Sequence, residues 1–232
     1  MIAEEPAANL MMNKHVDLQK FRIHAVTDTA LLENPDFLDK ARVLSATGLA
    51  AINLRAHGLE GRRVYDFAKA LREVTAQEGV PLVVNDRLDV ALAVAADTVH
   101  LGRRSIPLQV AAAFCRVRKI PFGYSCHSLE EAREAQKLGA AYGYLGTIFP
   151  TASKPGVAPA GLTLLERVCP KVELPIFAIG GINPANAADV ARAGAYGAAA
   201  ISAVWNAKNI GQALERMNAC FETFASGSSP GD

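Results

Sequence analysis

The chain has 232 residues, of which half are hydrophobic, 20% are charged and 6% are aromatic, and its formal net charge at pH 7 is +1. This length suits one α/β barrel domain and is awkward for two, and the near-neutral charge argues against a nucleic acid or a membrane surface as partner. No apolar run is long enough to span a membrane. The first residues lack the pattern of a secretory signal, and the four cysteines lie far apart, so a cytoplasmic protein is expected.

Short apolar runs alternate with helical patterns along most of the chain. We expect an N-terminal extension over residues 1–20, a single domain over 21–225 and a disordered Gly/Ser-rich tail over 226–232. The runs that resemble strands begin at Arg22, Ala50, Pro81, Asp97, Phe122, Tyr142, Pro175 and Gly197. Apolar residues at three- and four-residue spacing predict helices over 36–46, 64–76, 87–95, 108–115, 129–138, 162–168, 185–193 and 210–224.

Eight alternating units predict a closed parallel barrel, the (β/α)8 TIM barrel. The strand-like runs recur roughly every 25 residues, which is about the length of one βα unit. An open doubly wound sheet is the alternative, but no G-x-G-x-x-G pattern follows an early strand, which weakens it.

Two runs near the end of the domain stop in a pattern that suits a phosphate. PIFAIGGIN stops at Gly180 and Gly181, directly before a helical pattern, and GAAAISAV stops at Ile201 and Ser202. Adjacent parallel strands that end in this way present backbone N–H groups, to which a helix N-terminus adds partial positive charge. The ends of strands seven and eight are a frequent phosphate site in barrels. These four residues are therefore predicted to bind a phosphorylated ligand.

Other candidate residues lie where the remaining strands end, because barrel enzymes carry their chemistry at the C-terminal ends of strands. A buried guanidinium needs an anion, so Arg55 is predicted to contact substrate. His127 and Asp86 each stand where a helix begins, and helix capping is the alternative role for both. The candidate residues at strand ends are Asn53, Arg55, His57, Asn85, Asp86, Ser125 and His127, and the loop after strand six adds Thr151, Ser153 and Lys154.

These strings, taken in order, resemble the thiamine phosphate synthase / thiazole tautomerase (TenI) family. The resemblance covers about residues 21–206 and rests on NLRAH, VNDR, DTVHLG, GYSCHSLEEA, YLGTIFPTASKPG, AIGGIN and ISAV. It implies a TIM barrel, a role in thiamine biosynthesis, a thiazole phosphate ligand and a homodimer.

The family has two activities, and this chain departs from the pattern of one of them. The synthase joins an aminopyrimidine diphosphate to thiazole phosphate and releases diphosphate with Mg²⁺. Its pattern carries Gln-x-Arg-x-Lys after strand two and an Asp shortly after the HLG of strand four. This chain has Asn53, Arg55 and His57 at the first pattern and Ser105 at the second. If the chain is a synthase, the resemblance implies that Asp86 is a ligand of Mg²⁺.

The missing acid and lysine favour the tautomerase, which needs no cofactor and makes a carboxythiazole phosphate aromatic by a proton shift. The resemblance then implies that His127 moves the proton and that Arg55 orients the carboxylate. Thr151, Ser153 and Lys154 are expected to help hold the phosphate. Further substrate contacts are expected from Asn53, His57, Asn85 and Ser125. The alternatives are the Mg²⁺-dependent synthase and a non-catalytic barrel that binds thiazole phosphate.

Overall fold

A computed structural model describes residues 17–225, so the predicted tail and residues 1–16 of the predicted extension lie outside the described residues. Eight parallel strands form a closed barrel in which each strand pairs with the next and the last pairs with the first. The prediction of a TIM barrel is confirmed. The strands are β1 (Ile23–Val26), β2 (Ala50–Leu54), β3 (Leu82–Asn85), β4 (Thr98–Leu101), β5 (Phe122–Cys126), β6 (Tyr142–Gly146), β7 (Ile176–Ile179) and β8 (Gly197–Ala200).

At least one helix follows every strand, as the alternating pattern predicts. The helices are α1 (Thr29–Leu32), α2 (Phe37–Ala46), α3 (Gly61–Glu78), α4 (Leu88–Ala93), α5 (Leu108–Arg118), α6 (Leu129–Lys137), α7 (Leu162–Val168), α8 (Ala187–Arg192), α9 (Ser202–Trp205) and α10 (Ile210–Ala225). The helices α1 and α9 are single turns, too short to show helical periodicity in the sequence. Within residues 17–225, no helix combines the length and apolar character needed to cross a bilayer.

The outward faces of the strands and the inner faces of the helices form one large apolar core. Along β1, for example, Ile23 and Ala25 point into this core, whereas His24 and Val26 face the barrel interior. Alternation of this kind follows from the two-residue period of a strand. The helices therefore cover the barrel, and the interior must be filled by side chains from the strands themselves.

Aromatic rings fill much of the barrel interior. The rings of His24 and Phe177 stack with centroids 4.2 Å apart, and those of His100 and Tyr144 stack at 4.0 Å. A fifth ring, that of Tyr142, occupies the space beside Gly123. A Cβ on Gly123 would overlap this ring.

The interior holds two buried histidines, His24 and His100. Burial lowers the pKa of His24 from 6.5 to about 3, and burial together with repulsion from His24 lowers the pKa of His100 to about 3. Both rings are therefore neutral in the native protein at pH 5, whereas the unfolded chain protonates them below pH 6.5.

We expect the free energy of unfolding to be fully retained above pH 6.5 and to fall with pH between 6.5 and 3, because the unfolded state binds the extra protons there. At pH 5, each histidine should account for a loss of about 2 kcal/mol, since one pKa unit corresponds to about 1.4 kcal/mol. Urea unfolding of the His24→Phe variant should show about half of the pH dependence of the parent. His57→Gln, a change at an exposed histidine, is the control, and an undiminished slope in His24→Phe would contradict the assignment.

Candidate active site

A cavity of about 410 Å³ opens at the C-terminal mouth of the barrel. The ends of β7 and β8 form one side of it, and the loop after β6 forms another. The residues that line it include Gly180, Gly181, Ile201, Ser202, Thr151, Ser153 and Lys154, all predicted phosphate ligands, together with Arg55. We call this cavity the phosphate cup. The structure thus brings together every residue that the sequence predicted for the phosphate.

Two glycines let the chain turn at the end of β7. Gly180 and Gly181 have φ angles of 103° and 66°, in the region that residues with a Cβ rarely adopt. A Cβ on Gly181 would stand 2.5 Å from the carbonyl oxygen of Pro150. The loop after β6 therefore packs directly on the two glycines, and Phe149 donates its N–H to the Gly180 carbonyl at 3.0 Å.

The helix contribution to the cup differs from the expectation. The sequence predicts a helix over 185–193 whose N-terminus contributes to the cup; α8 begins at Ala187, and Ala187 does not line the cavity. The first residues of α9, Ser202 and Ala203, line it instead. Loop residues between β7 and α8, such as Asn183, line the cavity in place of α8. Within this loop, the Asn183 side chain accepts a hydrogen bond from the Ala185 N–H at 2.8 Å.

A second cavity of about 200 Å³ adjoins the cup, and Arg55 lines both. The ends of β2 and β3 form this cavity, which we call the cationic lobe. It is lined in part by Arg55, His57, Asn85, Asp86, Arg87 and Arg104. Thr27 fixes the backbone at Arg55, because its hydroxyl accepts from the Arg55 N–H at 2.9 Å and donates to the carbonyl at 3.1 Å.

Several cations at the mouth lack an anionic partner. Among residues 17–225, no carboxylate lies within 4.0 Å of the charged nitrogens of Arg55, Arg104 or Lys154. Partial desolvation, followed by repulsion from Arg55 and two further arginines, lowers the pKa of Lys154. The mouth is therefore suited to bind anionic groups.

By contrast, two neighbouring arginines are neutralised. Arg87 pairs with Asp89 at 2.5 Å, and Arg103 pairs with Glu131 at 2.7 Å. Adjacent residues Arg103 and Arg104 thus have different environments, and nothing in the sequence pattern separates them. Sequence reasoning did not select Arg104 as a site residue.

The carboxylate of Asp86 is held by two neighbours in the cationic lobe. Ser105 donates its hydroxyl to Asp86 Oδ1 at 2.5 Å, and Asn85 donates its amide to Oδ2 at 2.6 Å. Asp86 itself has a φ of 61°, a left-handed conformation that Asp tolerates better than most residues. The serine that replaces the expected acid therefore orients the remaining one.

These groups fit a Mg²⁺ ion bound together with a substrate phosphate. Mg²⁺ is commonly held by one or two carboxylates, with phosphate oxygens and waters completing its shell. Asp86 supplies one such carboxylate, and the unpaired Arg104 lines the same cavity. Within residues 17–225, no three His, Cys, Asp or Glu side chains form a metal site by themselves.

His127 precedes α6 and interacts with Glu131 in the first turn of that helix. Its backbone N–H donates to Glu131 Oε2 at 2.7 Å, and its Nδ1 lies 3.1 Å from the same oxygen. Burial alone would raise the pKa of Glu131, but hydrogen bonds from Arg103 and His127 hold it below its usual value. The side chain of His127 is one-third exposed, and the residue lines neither cavity.

The remaining predicted contacts lie at different depths. His57 and Asn85 line the cationic lobe. Asn53 is fully buried beneath the site, where its amide donates to the Tyr144 hydroxyl at 2.9 Å. Ser125 is partly exposed and bonds to His100 Nε2 at 2.9 Å. Contact between the substrate and Asn53 or Ser125 stays a prediction.

The family profile described as thiamine monophosphate synthase matches residues 23–204. The chain belongs to this family. The match includes all eight strands and both cavities, so the resemblance inferred from the sequence motifs is confirmed.

Alignments that cover nearly the whole length of several relatives support the same family membership. Thiamine-phosphate synthase of Chloroflexus aurantiacus is 40% identical over 200 residues, which cover 86% of this chain and 92% of the relative. The synthase of Syntrophomonas wolfei is 37% identical over 203 residues, covering 87% and 97%. The solved thiamine phosphate pyrophosphorylase of Pyrococcus furiosus superimposes with a TM-score of 0.78 at 35% identity, covering 90% of this chain and 99% of the other.

The geometry of the cup predicts that Gly181→Ala weakens the binding of inorganic phosphate by about tenfold, because the new Cβ forces the Pro150 loop away. Isothermal titration calorimetry measures the effect. The matched control is Gly79→Ala, which has the same φ of 66° but no neighbour within 4 Å. Equal phosphate affinity in the two variants would contradict the location of the phosphate.

Proposed function

We propose that the protein is a Mg²⁺-dependent thiamine-phosphate synthase, which joins an aminopyrimidine diphosphate to thiazole phosphate and releases diphosphate. The observation that carries the proposal is the position of Arg55, which lines both the phosphate cup and the cationic lobe. Two adjoining cavities, each with an unpaired cation, suit two anionic substrates that must meet. The names of the relatives in Chloroflexus aurantiacus and Syntrophomonas wolfei agree with this activity.

In the proposed reaction, the bond between the pyrimidine's methylene carbon and diphosphate breaks as the thiazole nitrogen bonds to that carbon. Negative charge accumulates on the departing diphosphate, and fixed cations near it lower the barrier. Arg104 and Arg55 supply fixed positive charge in the cationic lobe. Bound Mg²⁺ would neutralise diphosphate oxygens, and Asp86 is the residue that would hold it.

The phosphate cup holds the second substrate in this proposal. Backbone groups at Gly180, Gly181 and Ser202 would bind the thiazole phosphate, with Lys154 adding a charge from the loop. Holding both substrates next to Arg55 converts a bimolecular reaction into an effectively unimolecular reaction within one complex.

Three observations favour this activity over the tautomerase expected from the sequence. Ser105, which suggested a lost acid, hydrogen-bonds to Asp86, and one carboxylate is enough for Mg²⁺ in the presence of phosphates. His127, the expected acid/base, lines neither cavity. A tautomerase also acts on a single substrate, whereas two adjoining cavities suit a reaction between two substrates.

The direct test is diphosphate release from the two substrates, with and without Mg²⁺. We expect turnover that requires the metal, and Asp86→Asn should lower kcat by about 100-fold, because it removes the charge that holds the ion. Asp39→Asn, which alters an exposed carboxylate paired with Arg42 on α2, away from both cavities, is the control. Metal-independent aromatisation of the carboxythiazole phosphate, or ligand binding without either reaction, would overturn the proposal.

His127→Ala separates the two family activities in one variant. Under the proposal, the variant keeps kcat for diphosphate release within about threefold and loses about 1 kcal/mol of stability, since it removes only a helix-start hydrogen bond. A steady-state assay and thermal unfolding measure the two quantities. A loss of nearly all turnover would instead assign proton transfer to this histidine.

A further inference from the structure

The outward face of α5 is apolar, although it lies on the surface of the barrel. Among residues 17–225, seven large apolar side chains are exposed, and four of them belong to α5 or the turn before it: Ile106, Val110, Phe114 and Val117. Their exposed fractions range from 45% to 78%. Single exposed apolar residues are normal on a protein surface, whereas a cluster of them indicates a surface that binds a partner.

Helical spacing gathers these side chains into one stripe. Val110, Phe114 and Val117 are separated by four and then three residues, the spacing that places side chains on one face of a helix. Ala113, which is also exposed, lies between them. We call Val110, Ala113, Phe114 and Val117 the α5 face. The charged residues of the helix fall at the edges of this face, because each residue turns the helix by about 100°.

The inner face of α5 is apolar as well. It packs on the core through Leu108, Ala111, Ala112 and Cys115, which are all buried. A helix that covers a barrel normally has one apolar face and one polar face, and a helix that is apolar on both sides is normally buried on both sides. The α5 face therefore has the character of a surface that a partner covers.

Charges of opposite sign lie at the two ends of one edge of the α5 face. At the start of α5, Gln109 donates its amide to Glu134 of α6 at 2.6 Å, and Glu130 precedes Glu134 by one turn. Arg116 follows Gln109 by seven residues, or two turns, so it lies on the same edge near the end of α5. Among residues 17–225, no ion pair of 4.0 Å or shorter involves Arg116, Glu130 or Glu134.

This distribution of charge is complementary to itself. A two-fold axis perpendicular to α5 at Ala113 would place the helices of two copies antiparallel, with their α6 edges on the same side. Gln109 and Arg116 lie four and three residues from Ala113, so Arg116 of each copy would reach the level of Gln109, and therefore of Glu134, in the other. Parallel helices would instead bring the arginines of the two copies together.

The apolar side chains fit the same symmetry. About an axis at Ala113, Val110 of one copy comes to a level between Phe114 and Val117 of the other, which is the way that side chains of paired helices interdigitate. The small side chain of Ala113 at the centre allows the two helices to approach closely. The antiparallel arrangement also sets the positive end of each helix dipole beside the negative end of the other.

We propose that the α5 face is a homodimer interface, in which α5 of one copy packs antiparallel on α5 of a second copy about a two-fold axis near Ala113. The resemblance to the family implies a homodimer but does not indicate which surface forms it. Because no residue of the α5 face lines the phosphate cup or the cationic lobe, the interface leaves both cavities of each copy open.

The first test is sedimentation equilibrium of the full chain at micromolar concentration, which should give the mass of two chains. Val117→Lys should raise the dissociation constant of the dimer about 30-fold, because symmetry places each new charge in the interface twice. Val43→Lys, which alters a 56%-exposed valine in the last turn of α2, is the matched control and should leave the constant unchanged. A monomeric parent, or a dimer that Val117→Lys does not weaken, would overturn the proposal.

Exchange of charges tests the antiparallel arrangement separately from the folding of any one variant. Arg116→Glu and Glu134→Arg should each weaken the homodimer about fivefold, because like charges then meet twice. Mixed in equal amounts, the two variants should form the heterodimer in preference to both homodimers. The heterodimer keeps one native Arg116–Glu134 contact and gains one between the two introduced side chains. Native mass spectrometry measures the three populations, and a statistical distribution would overturn the proposal.

A membrane surface is the other partner that an apolar helix face could bind. Glu130 and Glu134 beside the α5 face would repel anionic lipids, so we expect no co-sedimentation of the parent with vesicles that contain phosphatidylserine. Vesicle binding that Phe114→Ser removes would assign the α5 face to a membrane and overturn the proposal.

Discussion

The hydrogen bonds that join β8 to β1 close the sheet, and the rest of the structure depends on that closure. A closed parallel barrel directs the C-terminal ends of all its strands to one mouth. Residues far apart in sequence, such as Arg55 after β2 and Gly180 after β7, therefore line one cavity. Closure also creates an enclosed interior, which the chain fills with rings and two neutral histidines rather than with aliphatic side chains alone.

The interior reaches the end of β5 through His100, whose Nε2 lies 2.9 Å from Ser125 Oγ. The free energy of unfolding falls with pH, because the native state holds the two buried histidines in their neutral form while the unfolded chain protonates them. The same neutrality leaves each ring with one donor and one acceptor nitrogen. A polar interior of this kind is stabilising only while its members are paired.

The barrel and the phosphate cup could be predicted from the sequence, because both depend on local signals. Apolar runs, helical spacing and the glycine pair each mark an element or a turn. The cationic lobe could not be predicted in the same way, because it depends on which charges are paired. Arg103 reaches Glu131 across 28 residues while Arg104 remains unpaired, and Ser105 restrains Asp86 from 19 residues away. The absent acid at Ser105 consequently suggested a different reaction from the one that the assembled site favours.

The central claim is that one molecule holds two anionic ligands at once, on either side of Arg55. Calorimetric titration of inorganic diphosphate with Mg²⁺ into protein saturated with thiazole phosphate tests it most directly. We predict that one diphosphate binds per chain without displacing the thiazole phosphate, and that Arg55→Met weakens both ligands. Displacement of one ligand by the other, with a single shared site per chain, would contradict the account.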